Sequence, residues 1–318
     1  MREEARDMPS ALTLASVAST PPPLGERSCS TQGPDLLVLS IKSRYPDQML
    51  GAIIGDIAGS VYEWKNVRTK EFGPLFHPKA FYTDDTVCTI AVADALVHDR
   101  HAGEALKDWG RRYWENGGWG AMFAQWLMSD SMGPYNSFGN GAAMRVSPAG
   151  LLAQSEGDAI DLAESVTEVT HNHPEGLKGA AATSLAIYLA RCGQDSADIR
   201  TAVTKRFGYD LDRTPDEIRP TYRFNETCQE TVPQALVCAL TASGYEDAIR
   251  NAISIGGDSD TVAAIVGGVA EALFGIPDEI GQKGWTYLPA DMRKVLRALY
   301  RKAAPGKTCM EELTDESE

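Results

Sequence analysis

Two acidic clusters constrain this chain more than any other feature. The first is Thr83-Asp84-Asp85-Thr86 and the second is Asp258-Ser259-Asp260-Thr261. Each opens a run of small and apolar residues, Val87 to Val97 and Val262 to Phe274. The fold has to bury the runs, which drags the carboxylates at their heads toward the interior. Clustered carboxylates with no basic residue beside them repel one another, and a cation is the usual neutraliser. Two such clusters, far apart in sequence and alike in chemistry, point to one divalent-metal site assembled by the fold.

The apolar spacing along the rest of the chain reads helix after helix. It predicts helices over 49–60, 86–98, 102–115, 158–170, 176–191, 195–207, 231–243, 246–254, 260–274 and 289–303. No period-2 strand stands out, and no glycine-rich dinucleotide or P-loop context is present. Thr83 is placed as an N-cap with Asp84 and Asp85 in the first turn behind it. Asp258 to Thr261 opens another helix after the Gly256-Gly257 turn. Frequent alanine and glycine inside these segments permit close helix packing. The expected fold class is therefore all-α.

Three segments divide the chain. Residues 1–47 carry Pro9, Pro21 to Pro23 and Pro34, many Ser and Thr, and no aromatic before Tyr45, which reads as a flexible extension. Residues 48–304 form the globular part. Residues 305–318 end in an acidic run that reads as a disordered tail.

The chain has 318 residues, 43% hydrophobic and 23% charged, with a formal net charge of −14. That length supports one large or two small cores. The acidity argues against a nucleic-acid or anionic-membrane binder, which needs a basic face. No apolar stretch approaches the ~18 residues of a membrane span. The start, Met1 to Asp7, has three acids and lacks the basic region of a signal peptide. The six cysteines form no CxxC pair, and Cys88 and Cys238 sit in apolar runs as buried thiols. This reads as a reducing compartment, hence cytoplasmic.

Asp84, Asp85, Asp258 and Asp260 offer four carboxylates, with the Thr83 and Thr261 hydroxyls beside them. That donor set is enough for two octahedral hard cations with places left for water or substrate. The plain alternative is that these residues only cap helices. A Cys/His zinc site has no support. Asp258-Ser-Asp260-Thr-Val also matches the nucleophile motif of haloacid-dehalogenase-type phosphatases. That motif needs an apolar strand before it, and Gly256-Gly257 stands there instead.

Further candidates lie between the clusters. Ser137-Phe-Gly139-Asn140-Gly141 leads into a helix, and such turns suit phosphate oxygens through their backbone amides. His171, in Thr170-His171-Asn172-His173, lies between two helices and can donate to a substrate oxygen. The same segment superficially matches an HNH nuclease core but lacks its strands and basic flanks. Glu63, beside Tyr62 and Trp64, is an acid among aromatics, a setting that raises a carboxyl pKa and suits proton transfer. Tyr222 sits on a loop where it either stacks on a ligand ring or covers the core.

Taken in order, five pieces resemble the ADP-ribosylglycohydrolase family, the group related to dinitrogenase-reductase-activating glycohydrolase. They are Gly51 to Glu63, Tyr82 to Thr86, Ser137 to Arg145, Thr170-His171 and Gly256 to Thr261. The resemblance implies an all-α orthogonal multi-helix bundle with a dinuclear Mg²⁺ (or Mn²⁺) centre. It implies that Thr83, Asp84, Asp85, Asp258, Asp260 and Thr261 hold the ions, with Asp85 and Asp258 central to catalysis. Glu63 matches the family's flexible catalytic glutamate. Ser137, Gly139, Asn140 and Gly141 match the segment cradling the diphosphate of ADP-ribose. His171 matches a histidine of the substrate cleft, and Tyr222 an adenine neighbour.

The implied activity is release of ADP-ribose from modified protein side chains, with ADP-ribosylarginine as the expected substrate. A second reading, from a different class, is an immunity protein that also binds and blocks an ADP-ribosyltransferase toxin through residues 1–47.

Overall fold

The computed structural model describes residues 50–304. The N-terminal extension and the acidic tail expected from the sequence lie outside the described residues, as do Cys29 and Cys309. The described residues contain helices and no named strand; an isolated antiparallel bridge joins Gly139 to Thr227. The helices are α1 (Gly51–Gly59), α2 (Asp84–Val97), α3 (Ala102–Arg112), α4 (Ala121–Met128), α5 (Gly141–Met144), α6 (Ser147–Leu152), α7 (Glu156–Thr167) and α8 (Pro174–Arg191). They continue as α9 (Ser196–Phe207), α10 (Pro215–Ile218), α11 (Cys228–Leu240), α12 (Tyr245–Ile255), α13 (Ser259–Phe274), α14 (Asp278–Thr286) and α15 (Ala290–Ala303).

Local chemistry sets many of these boundaries. The Thr83 side chain accepts from the Asp85 amide at the head of α2. Ser155 caps α7 and Asp195 caps α9 in the same way, and α9 closes on Gly208 in the left-handed region. Thr214 and Glu217 form a reciprocal capping box on α10.

Some elements escape the periodicity. α4 reads AMFAQWLM, too uniformly apolar to show a face. α14 contains Gly281 and Gly284, which weaken a helical signal. α11 begins at Cys228, earlier than expected, and keeps Pro233 inside the helix.

The centre of the molecule is the pair α1–α13. Every residue of α1 is buried, and so is α13 from Ser259 to Ala270. Gly51, Gly55 and Gly59 recur every fourth residue, so they form one stripe along α1. A Cβ on Gly55 would stand 1.9 Å from the Ala263 carbonyl oxygen, and one on Gly51 2.3 Å from that of Gly267. The two backbones therefore touch. Around the pair, α11 and α12 pack on α13, α8 packs on α6, α7, α11 and α13, and α2 packs between α3 and α15.

Gly55→Ala should force α1 and α13 apart and destabilise the protein by about 1–3 kcal/mol. Gly73→Ala, whose Cβ would meet nothing within 4 Å, is the control. Denaturant unfolding compares them, and equal midpoints would contradict the packing.

Candidate active site

The stripe that joins α1 to α13 also assembles the acidic residues. A Cβ on Gly59 would lie 2.5 Å from the Asp260 Cα, so the end of α1 meets the start of α13. Glu63 follows within one turn.

Asp56 ties α2 to the same point. It is fully buried in α1. Its Oδ2 accepts from the Thr83 amide at 2.9 Å, the Thr86 amide at 3.1 Å and the Thr86 hydroxyl. Its Oδ1 accepts from the Thr83 hydroxyl at 2.8 Å. Burial pushes its pKa up to about 6, against the pull of the Thr86 and Thr83 hydrogen bonds. Asp56 is absent from the residues singled out above. Its signal is that it is the one charged residue in a helix otherwise made of Gly, Ala and Ile.

Glu63, Asp258 and Asp260 each present a carboxylate oxygen within 4.8 Å of the others. Asp258 Oδ2 accepts from the Asn140 side-chain amide at 2.7 Å, and Asp260 Oδ1 from the Thr261 amide at 3.0 Å. Asp85 Oδ2 accepts from the Thr261 hydroxyl at 3.2 Å. Asp85 Oδ1 is buried with no hydrogen-bond partner. Asp84 Oδ1 accepts from the Gly118 amide at 3.0 Å. The sequence groups Thr83, Asp84, Asp85, Asp258, Asp260 and Thr261 as one ligand set. The structure adds Glu63 to Asp258 and Asp260, and the Thr83 hydroxyl donates to Asp56.

These groups raise one another's pKa values. Burial lifts Asp85 and Asp260 well above the usual carboxylate range, and the charges around them add to it: Asp56, Asp84 and Asp258 for Asp85, Asp258 and Asp85 for Asp260. Burial, then Asp258, Asp84 and Glu226, push Glu63 up to about 7, against a hydrogen bond from Trp64. Asp84 rises to about 6, mainly through burial. Asp258 rises less freely, because burial is opposed by hydrogen bonds from Asp260, Asn140 and Thr261. None of the ion pairs among the described residues involves any of these six acids. Hard oxygens, an orphaned buried carboxylate oxygen and no internal counter-charge fit a hard divalent cation.

The loop carrying Glu63 is clipped to the head of α13. Asn66 donates through its amide to the carbonyls of Tyr62 at 2.7 Å, Glu63 at 3.0 Å and Gly257 at 2.9 Å. Its Oδ1 accepts from the Gly257 amide at 2.8 Å. Gly256 and Gly257 adopt φ of 68° and 80°, which favours glycine at both places. Tyr222 lies beneath this turn, 7% exposed, where a Cβ on Gly257 would sit 2.5 Å from its ring. Little of that ring is open to a ligand.

The Ser137 to Gly141 segment is pinned on both sides. The Asn140 amide donates to the Glu226 carbonyl at 2.7 Å, and the Cys228 amide to the Phe138 carbonyl at 2.9 Å. The Gly139 amide donates to Ser137 Oγ at 3.1 Å. The Ala142 and Ala143 amides donate to the Gly139 and Asn140 carbonyls. Gly139 and Gly141 thus offer a low profile, and the Gly139 and Asn140 amides are already engaged. Asn140 turns its side chain to Asp258. His171 is buried, with Nε2 facing both glycines: a Cβ on Gly139 would be 3.5 Å from it and one on Gly141 3.3 Å.

Comparison with known proteins agrees with this architecture. The family model described as ADP-ribosylglycohydrolase matches residues 38–316. The ADP-ribosylhydrolase ARH3 of Homo sapiens is 27% identical, with 74% of this chain and 86% of that protein covered. The ADP-ribosylarginine hydrolase Tri1 of Pseudomonas putida is 26% identical, covering 91% of this chain and 85% of its own. A solved structure described as an ADP-ribosylglycohydrolase-related protein complex shares the fold, with a TM-score of 0.60 at 23% identity. The match covers 82% of this chain and 99% of that one. With a family match over most of its length on an all-α bundle, the chain belongs to the ADP-ribosylglycohydrolase family.

Proposed function

We propose that the chain is a Mg²⁺-dependent hydrolase that releases ADP-ribose from ADP-ribosylated arginine side chains of proteins. The observation that carries this reading is the orphaned Asp85 Oδ1, buried where Asp85 feels the charges of Asp258 and Asp260, with Glu63 grouped on those two aspartates and no ion pair to any of them among the described residues. Asp84, Asp85, Asp258, Asp260, Thr261 and, on the α2 side, Thr83 would hold two divalent ions, Mg²⁺ or Mn²⁺. Such ions supply Lewis-acid polarisation of ligand oxygens.

The remaining roles fall to the chain's own residues. The half-exposed Glu63, with its pKa near neutrality, is suited to accept the proton of the attacking water and return one to the leaving nitrogen. The water oxygen bonds to the ribose carbon as the carbon–nitrogen bond breaks, through an oxocarbenium-like ribose. Asn140 orients Asp258, and Asp56 fixes the first turn of α2. The open profile of Gly139 to Gly141 lets a diphosphate approach, with His171 beside it.

Two observations support arginine as the acceptor. The Pseudomonas putida relative carries that specificity in its name. Trp64 and Phe224, both exposed, stack at 5.2 Å next to Glu63, and an aromatic rim beside carboxylates suits a guanidinium.

A second reading concerns the N-terminal segment. The 91% of this chain covered by the Pseudomonas putida protein exceeds what residues 50–318 supply, so the match enters the N-terminal segment. Residues 1–47 would then bind an ADP-ribosyltransferase toxin. Deleting residues 1–45 should weaken binding of a transferase encoded beside this gene and leave hydrolysis intact. Undiminished binding would remove the arm from the account.

Glu63→Gln should lower kcat for ADP-ribose release from an ADP-ribosylarginyl protein by about 10²–10⁴-fold while Mg²⁺ still binds. Asp258→Asn should abolish both, read by calorimetry and product assay. Full activity in either variant would contradict the assignment.

The raised pKa values also set a pH dependence. Asp56 and Asp84 have folded pKa values of about 6, above the ordinary 3.8. Their contribution to stability is present below the unfolded value and is lost as pH rises through about 6. Chelated protein should lose Tm between about pH 4 and pH 6, and Mg²⁺ should raise Tm more at pH 7 than at pH 5. Equal Mg²⁺ shifts at both pH values would contradict the charge argument.

A further inference from the structure

Arg145 is the largest fully buried side chain of the described residues, and it takes part in none of their ion pairs. Its Nε has no hydrogen-bond partner. The titratable groups around it stay neutral near pH 7: burial raises the Cys88 and Cys228 thiols and the Tyr135 phenol, and the guanidinium only partly opposes this. The Phe123 ring lies 5.7 Å from its Cζ. A buried guanidinium without a carboxylate is costly, so the acceptors it does meet are informative.

Besides the Cys88 thiol, it meets two acceptors that are adjacent in the chain. Arg145 donates to the Thr170 hydroxyl at 2.7 Å, and His171 Nδ1 lies 3.4 Å from the same nitrogen. Thr170 Oγ1 is 2.8 Å from His171 Nδ1 and 3.5 Å from the Thr167 carbonyl. Arginine can only donate. Thr170 Oγ1 therefore accepts from Arg145 and turns its own proton to the nearer acceptor, His171 Nδ1. With two donors converging on Nδ1, that nitrogen bears the lone pair and the ring hydrogen resides on Nε2. Nε2 is the atom that faces Gly139 and Gly141. The Gly139 and Asn140 amides of that loop are already engaged, and the Nε2–H is a further donor facing it.

We propose that Arg145 is a positioning residue. Acting through the Thr170 hydroxyl, its guanidinium fixes His171 as the Nε2–H tautomer and aims that N–H at phosphate oxygens of a ligand seated on Gly139–Gly141. The ligand half of this proposal rests on the ADP-ribose reading above; the tautomer half does not. Burial, then the Arg145 charge, also hold His171 well below its usual pKa, which keeps the ring a neutral donor. An acidic protein thereby meets an anionic diphosphate with a fixed N–H, and the buried cation behind it is never exposed to the ligand.

The test is ¹⁵N NMR of His171 in the ligand-free protein, together with ADP-ribose binding by calorimetry. Thr170→Val removes the relay at nearly constant volume and keeps Arg145; Arg145→Lys keeps the charge but changes the donor geometry. The expected wild-type spectrum shows hydrogen on Nε2 and a bare Nδ1. Thr170→Val should mix the tautomers and weaken ADP-ribose binding about tenfold, the size of one hydrogen bond's net contribution. Arg145→Lys should retain the wild-type tautomer only in part.

A wild-type His171 with hydrogen on Nδ1 would overturn the proposal. So would Thr170→Val with unchanged tautomer and affinity. A wild-type protein that binds no ADP-ribose overturns the ligand half along with the proposed function, and the spectrum then decides the tautomer half alone.

Discussion

Where α1 crosses α13 there is no room for a side chain. The Gly55 Cα faces the Ala263 carbonyl closely enough that even a methyl group would overlap it. The rest of the centre depends on this contact. It brings the end of α1 against Asp260, sets Asp56 where it holds Thr83 and Thr86 of the next helix, and places the Glu63 loop over the Gly256-Gly257 turn. A wider α1–α13 separation would move Asp56 and the Glu63 loop away from Asp258 and Asp260.

That contact creates an electrostatic problem. Asp56, Asp84, Asp85, Asp258, Asp260 and Glu63 all have pKa values pushed upward, burial being the largest cause in every case. Hydrogen bonds from Thr83, Thr86, Asn140 and Thr261 relieve part of the strain of charge, and Asp85 Oδ1 receives nothing. A centre of this kind either takes up protons or takes up a cation. The same economy explains how a chain with a formal net charge of −14 can serve a family whose members act on ADP-ribose. In the function proposed above, small backbone and a single histidine would meet the anionic ligand rather than a basic face.

Much of this was legible in the sequence, for local reasons. Thr83 caps its helix because a hydroxyl just ahead of the first turn can accept from a free amide there, and Asp258 and Asp260 sit at a helix start because Gly256-Gly257 breaks the one before. What was not legible depends on partners remote in the chain. Asn66 looks like an ordinary loop residue until it meets Gly257, 191 positions away. Asn140 reads as part of a phosphate loop, yet its side chain serves Asp258, 118 positions on. Glu63 reads as a solitary acid among aromatics, and only the fold places it with Asp258 and Asp260. Arg145 reads as the end of a motif; its burial under His171 follows from how α5 packs against α8.

Anomalous diffraction from crystals equilibrated with Mn²⁺ tests the central claim most directly. The account predicts anomalous peaks within direct coordination distance of Asp85 and of Asp258 or Asp260, with the Asp85 Oδ1 atom among the ligands. Saturating Mn²⁺ with no peak between α2 and α13 would contradict it.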